Sequence, residues 1–349
     1  MPESRRARRR DPDDLAARQL RRVPSGRKGL PGEFELIAHL TARSRLSRRT
    51  ILGPGDDCAI IRSSSRDQLV TIDSMVENVH FKMGWGSPEQ TGIRALEVNL
   101  SDIAAMGGTP HTCVINLGVR PTVALEYIDG LNQGLRTAAR RAHVDIVGGN
   151  ITSASELSIT IALLGDAGKS VLRRDTARVG ADIFVTGTVG DAALGWRILA
   201  GEMRAPAKAR QHLVSRYLEP AARIEAGIRL AQLRPAPAAI DISDGLLQDL
   251  GHILERSKVG AEIDALSVPI SDAYRRTVGA DVSYALSGGE DYELLFCASA
   301  RISARELAKR LGIEVTRIGR IVKGRGIKLS GAKLPPNAGF DQLRAQGTR

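Results

Sequence analysis

Residues 239–247 read AIDISDGLL: a run with the character of a buried strand ends on two carboxylates, Asp241 and Asp244, around Ser243. An acid without a partner in apolar surroundings is costly, so whatever fold forms must bring something to these groups. Successive strand residues point to opposite faces. That period puts Asp241 and Ser243 on one face and turns Ile240 and Ile242 toward the core. Acids stand at the ends of other elements too, with Asp56 and Asp57 in the glycine turn of GPGDDCAII (53–61) and Asp73 closing the strand QLVTID (68–73). Asp102 falls inside a helix, on a largely apolar face shared with Ala95, Asn99 and Met106. No cluster of His or Cys adjoins any of them. Carboxylate, hydroxyl and carbonyl oxygens without soft ligands suit Mg²⁺, which takes few protein ligands and shares its octahedron with water and phosphate. Each acid also has a plainer reading: Asp244 as the cap of a helix starting at Gly245, Asp56 and Asp57 as turn residues bonding their own backbone. Shared cations answer all the sites at once.

The 349-residue length favours two domains. A helical pattern, EFELIAHLTAR (33–43), precedes the glycine turn, and the apolar residues after Asp57 resume as a strand. Ser87 and Pro88 form a helix start, and the helix runs to a stop at Gly107. A strand (111–118), a long helix (122–142) and the strands VDIVGG (144–149) and LSITIALLG (157–165) follow. A second series opens with DIFVTG (182–187), passes through helices between 191 and 233, and reaches the AID strand and the helix GLLQDLGHILERS (245–257). VSYALSGGEDYELLF (282–296) reads as a glycine turn entering a strand, and EVTRIGRIV (314–322) as one of the last strands. The class is therefore α/β (α+β), with a domain over 31–168, another over 169–341 and a tail over 342–349.

The net charge of +11 suggests nucleic acid until its distribution is seen. Residues 1–30 hold ten Lys/Arg against four acids, leaving a mildly basic folded part and a flexible basic arm that reads as a solvated tail. Contact between the arm and RNA or an acidic partner is the lesser reading. Cys58, Cys113 and Cys297 are too few and too scattered for a disulfide framework or a zinc site, which points to a reducing cytoplasm. No apolar run nears the roughly 20 residues that span a bilayer, so a membrane is not expected. GDAGKS (165–170) imitates the end of a phosphate-binding loop, but position 163 is Leu where that loop needs Gly and no convincing helix follows.

GPGDDCAII, TIDSMVENVHF, VNLSDIAAMGGTP, VTGTVGDAALG, AIDISDGLLQDLGHI and SGGEDYELLF occur in this order in the sequence. In order and spacing they resemble the thiamine-monophosphate kinases, members of the aminoimidazole-ribonucleotide-synthetase-like superfamily, from about Gly32 to Phe340. The resemblance implies a two-domain fold of that superfamily whose N-terminal mixed sheet pairs with a second copy in a homodimer. It also implies ATP-dependent phosphorylation of thiamine phosphate to thiamine diphosphate with several Mg²⁺ ions. Metal ligands are then implied at Asp57, Thr71, Ile72 (through its backbone), Asp73, Asp102, Asp241 and Asp244, nucleotide contacts at Gly149, Asn150, Arg174 and Ser243, and thiamine-phosphate contacts at His80, Glu290 and Phe340.

There are departures from the family pattern. Gly148-Gly149-Asn150-Ile151-Thr152 stands where the family shows Gly-Gly-Asp-Thr-Thr, so a metal-binding carboxylate becomes an amide that still offers a carbonyl oxygen. Thr71-Ile72-Asp73 replaces Ser-Thr-Asp, and GFDQL (339–343) replaces Gly-Tyr-Asp-His-Phe. Alone, His80 would be an ordinary histidine, Glu290 and Asp291 would close a glycine turn, and Arg174 would be solvated. Two other readings are weighed: a ligase or dikinase of the same superfamily, against which Cys58 reads as structural, and a degenerate kinase whose arm binds an acidic partner.

Overall fold

The computed structural model of the chain describes residues 30–42, 45–54, 58–333 and 339. Asp57, Phe340, the basic arm up to residue 29 and the tail over 342–349 lie outside them. Helix α1 (Glu33–Thr41) leads to a small hairpin, β1 (Thr50–Leu52) with β2 (Ile60–Ile61). Strands β3 (Gln68–Val76), β4 (Thr109–Val119), β5 (Asp145–Ser153) and β6 (Ser158–Asp166) form a four-stranded sheet in the order β3-β6-β4-β5. Only β4 and β5 run parallel, and the helix between them makes the crossover that a parallel pair requires.

Helices α2 (Pro88–Ala105) and α3 (Leu125–Ala142) pack on one face of this sheet. α2 starts where the sequence says it should. The Ser87 hydroxyl accepts the Gln90 N–H at 3.3 Å and the Gln90 side chain accepts the Ser87 N–H at 2.8 Å, with Pro88 at the first helical position. The other face is open, and by strand alternation it carries Val70, Ile72 and Val114, which are 70%, 65% and 40% exposed.

The second sheet has six strands in the order β12-β9-β11-β7-β10-β8. They are β7 (Asp182–Thr186), β8 (Ala238–Asp241), β9 (Gly260–Asp264), β10 (Leu294–Ala298), β11 (Val315–Val322) and β12 (Gly326–Ser330). Around them lie α4 (Asp191–Leu199), α5 (Ala207–Leu218), α6 (Ile224–Leu230), α7 (Leu246–Ser257), α8 (Asp272–Val278), α9 (Ser283–Ser287) and α10 (Ala304–Leu311). Both faces of this sheet are buried: Ile183, Val185, Ile240 and Leu295 belong to one core, Phe184, Phe296, Ala239 and Leu294 to another. No described helix is long and apolar enough to cross a membrane.

Four expectations need correction, the first being that β3 runs on to Val76, so that Asp73 lies within the strand rather than at its end. The segment 282–296 first forms α9 and only then turns through its glycines into β10. Cys58 is exposed rather than structural, because the strand after Asp57 begins only at Ile60. Strand β8 ends at Asp241, so Ser243 sits in the following loop, although Ile240 and Ile242 do point into the core.

Candidate active site

Helix α2 lies between the two sheets and touches both. The Thr71 hydroxyl on β3 donates to the Asp102 carboxylate, and the Asn99 carbonyl oxygen accepts the Asp73 N–H at 3.1 Å. From the neighbouring position on α2, the Ser101 hydroxyl donates at 2.7 Å to Asp241, which is buried at the end of β8 in the other domain. Thus β3, α2 and β8 bring Asp73, Asp102 and Asp241 to one junction.

These acids disturb one another as closely spaced carboxylates must. Burial and then the Asp102 charge push Asp241 up to about 7. Burial raises Asp102 as well, against the Thr71 hydrogen bond and the Arg174 charge. Asp73 is pushed up to about 6 by desolvation, then by Asp102, Glu290 and Asp244. Arg174 stands near enough to favour the charged forms of both Asp102 and Asp241.

The loop bearing Ser243 and Asp244 is shaped by Asp249, which the sequence reading passed over. One Asp249 oxygen accepts the N–H groups of Ser243, Asp244 and Gly245 at 3.1, 3.2 and 3.0 Å. Burial, countered only in part by these bonds, raises Asp249 to about 7. Asp244 does not cap α7; its carboxylate accepts the Gln248 amide at 3.1 Å. Gly245 adopts φ +136, and a Cβ there would meet the Ser287 carbonyl at 2.8 Å, so the turn requires glycine. Asp244, Asp249 and His252 bring ligand atoms within 4.8 Å of one another. Gly339 packs so close that a Cβ there would lie 2.8 Å from the Asp244 carbonyl, which brings the chain near the loop just before Phe340.

Against this loop lies the turn 288–293, joined to it by Glu290 N–H to the Ser243 carbonyl and Tyr292 N–H to the Ile242 carbonyl, both 2.8 Å. Glu290 and Tyr292 take φ of +73 and +52, left-handed values that non-glycine residues adopt at a cost and that gather at functional sites. Asp291 turns away and accepts the Gly190 and Ala192 N–H groups at the start of α4, a structural role. Arg94 on α2, also missed, reaches Glu290 at 2.7 Å and lies 3.9 Å from the centre of the Tyr217 ring. The Tyr217 hydroxyl donates to the His80 carbonyl at 2.5 Å, and Trp85 meets Tyr217 and Trp196 edge-on at 6.0 and 6.2 Å.

Not every candidate is drawn in. Asn150 lies on the open face of the four-stranded sheet, where it donates to the Asn116 side chain at 2.9 Å, while Thr71 and Asp73 point to the helical face. Gly149 and Asn150 instead line a cavity of about 1410 Å³ with Arg45, Arg136 and Arg140. The Ile72 side chain is turned to the open face, which leaves only its backbone for the site.

Two sheets bridged by one acid-bearing helix define a recognisable class. Residues 55–167 match the family of AIR synthase related proteins in its N-terminal domain, and residues 178–331 match its C-terminal domain. The chain is 39% identical over 299 residues to thiamine-monophosphate kinase of Escherichia coli (strain K12), covering 83% of this chain and 90% of that protein. The crystal structure of thiamine-monophosphate kinase from Stenotrophomonas maltophilia K279a superposes with a TM-score of 0.76 at 37% identity, over 86% of this chain and 95% of that one. The structure of AaThiL complexed with AMPPCP and TMP superposes with a TM-score of 0.71 at 33% identity, over 88% and 96%. The chain belongs to the thiamine-monophosphate kinase family.

Proposed function

We propose that this chain transfers the terminal phosphoryl group of ATP to thiamine phosphate, giving ADP and thiamine diphosphate. The observation that carries the reading is the meeting of Asp73, Asp102, Asp241 and Asp244, drawn from both domains, beside Glu290. A relative of the same family is known as a complex with AMPPCP and TMP, which supports ATP and thiamine phosphate as the substrates.

The donor set fits magnesium. Hard carboxylate and hydroxyl oxygens converge, and their mutual repulsion calls for positive charge. Asp73, Asp102, Asp241 and Asp244, with Thr71 and the Ile72 carbonyl, would hold Mg²⁺, and Asp57 would join them from outside the described residues. Magnesium bound there would neutralise charge between two polyanions.

The chain's own residues do the rest by positioning, on which phosphoryl transfer chiefly depends. Asp249 presets the loop of Ser243 and Asp244. Arg174 places a fixed cation beside the acids, where phosphate oxygens arrive. Glu290, partly exposed at the junction, offers a carboxylate to the cationic ring of thiamine. The attacking group is a phosphate monoester whose second pKa is about 6, so it is already mostly dianionic at neutral pH and needs no general base. Transfer is direct and in line, without a phosphoenzyme.

The nucleotide contacts implied at Gly149 and Asn150 are not part of this reading, since Asn150 faces away from the acids. A second copy covers Val70, Ile72 and Val114, since an apolar sheet face is seldom left to water. The compartment is the cytoplasm, in keeping with three free cysteines, two of them buried with thiols pushed up to about 12. Incubating the protein with ATP, Mg²⁺ and a panel of phosphorylated acceptors tests the reading: thiamine phosphate should gain one phosphoryl group by mass, and transfer to another acceptor alone would overturn it. Asp102→Asn should lose at least about a hundredfold in kcat with the fold intact, and full turnover in that variant would remove Asp102 from the site.

A further inference from the structure

We propose that Arg94 is a positioning residue for acceptor recognition: from α2 it fixes the Glu290 carboxylate at the domain junction so that Glu290 can engage the cationic ring of the acceptor. The inference rests on the kinase reading above and deepens it by assigning how the acceptor's organic part is gripped.

Arg94 is 2% exposed, in a helix whose neighbouring side chains are mostly apolar. One terminal nitrogen donates to the Tyr217 carbonyl, the other donates to Glu290 Oε2 at 2.7 Å, and the guanidinium lies against the Tyr217 ring. A buried cation is tolerated only when paired, so Arg94 and Glu290 hold each other. Were the pair there for packing alone, its acid would be as buried as its base. Glu290 instead keeps 30% of its side chain exposed and sits on a left-handed backbone that the protein sustains against its cost.

The hydrogen bonds divide the work between the two carboxylate oxygens. Oε2 accepts both from Arg94 and from the Tyr292 hydroxyl, the latter also at 2.7 Å. Among the described residues no donor reaches Oε1. One oxygen is thereby immobilised and the other is presented, on a group whose charge is felt at Asp73. Thiamine phosphate suits such a site, because its thiazolium ring is a permanent cation and its aminopyrimidine carries N–H donors. Only a guanidinium can bridge the Tyr217 carbonyl and Glu290 while stacking on a ring; an ammonium is a point charge on a flexible stem.

Steady-state kinetics on wild type, Arg94→Lys, Tyr292→Phe, Glu290→Gln and the Arg94→Lys/Glu290→Gln double variant test this. Arg94→Lys should raise KM for thiamine phosphate about 10- to 100-fold, with kcat and KM for ATP within about threefold of wild type. Tyr292→Phe keeps the ring and its packing and should raise the same KM about 3- to 10-fold. The double variant should match Glu290→Gln within about twofold, because both changes remove one interaction. Unchanged KM for thiamine phosphate, an equal rise in KM for ATP, or multiplying losses in the double variant would overturn the inference. Should Arg94→Lys fail to fold, Tyr292→Phe and Glu290→Gln decide alone. If wild type transfers nothing to thiamine phosphate, the kinase reading falls and takes this with it; if wild type turns over and the pattern is absent, only the role of Arg94 falls.

Discussion

Removing a charge from the acid cluster should stabilise the metal-free protein while destroying its activity, and Asp241→Asn is the sharpest case. Asp241 is 3% exposed, and its carboxyl is pushed from an ordinary 3.8 up to about 7 by burial and then by Asp102, against the Ser101 hydrogen bond and the Arg174 charge. A carboxyl with a raised pKa binds more protons in the native state than in the unfolded one, so stability falls as pH rises from about 4 to about 7 and the whole cost is present above that. At about 1.4 kcal/mol per pH unit, the gap between 3.8 and about 7 puts the full cost at about 4 kcal/mol. Asparagine keeps an oxygen for the Ser101 hydroxyl and carries no charge. In urea unfolding with a chelator present, the variant should therefore gain about 2 to 4 kcal/mol over wild type at pH 8 and almost nothing at pH 4. Excess Mg²⁺ should cancel most of this advantage, because binding to the native state at a hundred times its Kd adds about 2.7 kcal/mol to wild type alone. A variant less stable than wild type at pH 8 without metal, or an advantage that does not grow with pH, would refute the electrostatic account of this site.

Asp249→Ala leaves the N–H groups of Ser243, Asp244 and Gly245 without their acceptor and should lower kcat at least about tenfold; unchanged kcat would show that the loop holds itself. Ile72→Glu places a charge on the open sheet face and should turn a dimer into a monomer by sedimentation equilibrium, where an apolar side chain of this size contributes about 1.5 to 3 kcal/mol on burial. A monomeric wild type, or a variant that still dimerises, would mean that something else covers that face.

Much of the site was legible because its signals are local. Ser87 and Pro88 announce the start of α2, Gly107 its end, and an acid on an apolar helical face singles out Asp102. Other parts depend on contacts between distant residues. Arg94 is one of 50 basic residues, and its partners lie 123 and 196 positions away. Asp249 looks like a polar residue on a helix until the loop before it is seen to fold back over its oxygen. The capping role open to Asp244 fails because Gly245 takes a conformation that begins the helix elsewhere. Whether Asn150 shares a face with Asp73 depends on register carried across β4 and β6, which no alternation within either strand reveals.

Helix α2 explains why two domains that each bury a core of their own should act as one site. Arg94, Glu97 and Ser101 recur at helical spacing on one stripe and all bond the C-terminal domain, at Tyr217 and Glu290, at the Ala222 N–H (2.9 Å) and at Asp241. Asn99 and Asp102 face the other way and bond β3 at Asp73 and Thr71. The crossing with α6 is tight enough that a Cβ on Gly227 would stand 2.0 Å from the Ala104 carbonyl, so the two helices meet backbone to backbone and α2 has little freedom to slide. Charges from one domain are thus set against charges from the other by a single rigid element. Positioning of that kind is what a reaction between two anions needs, since neither substrate will approach the other unaided.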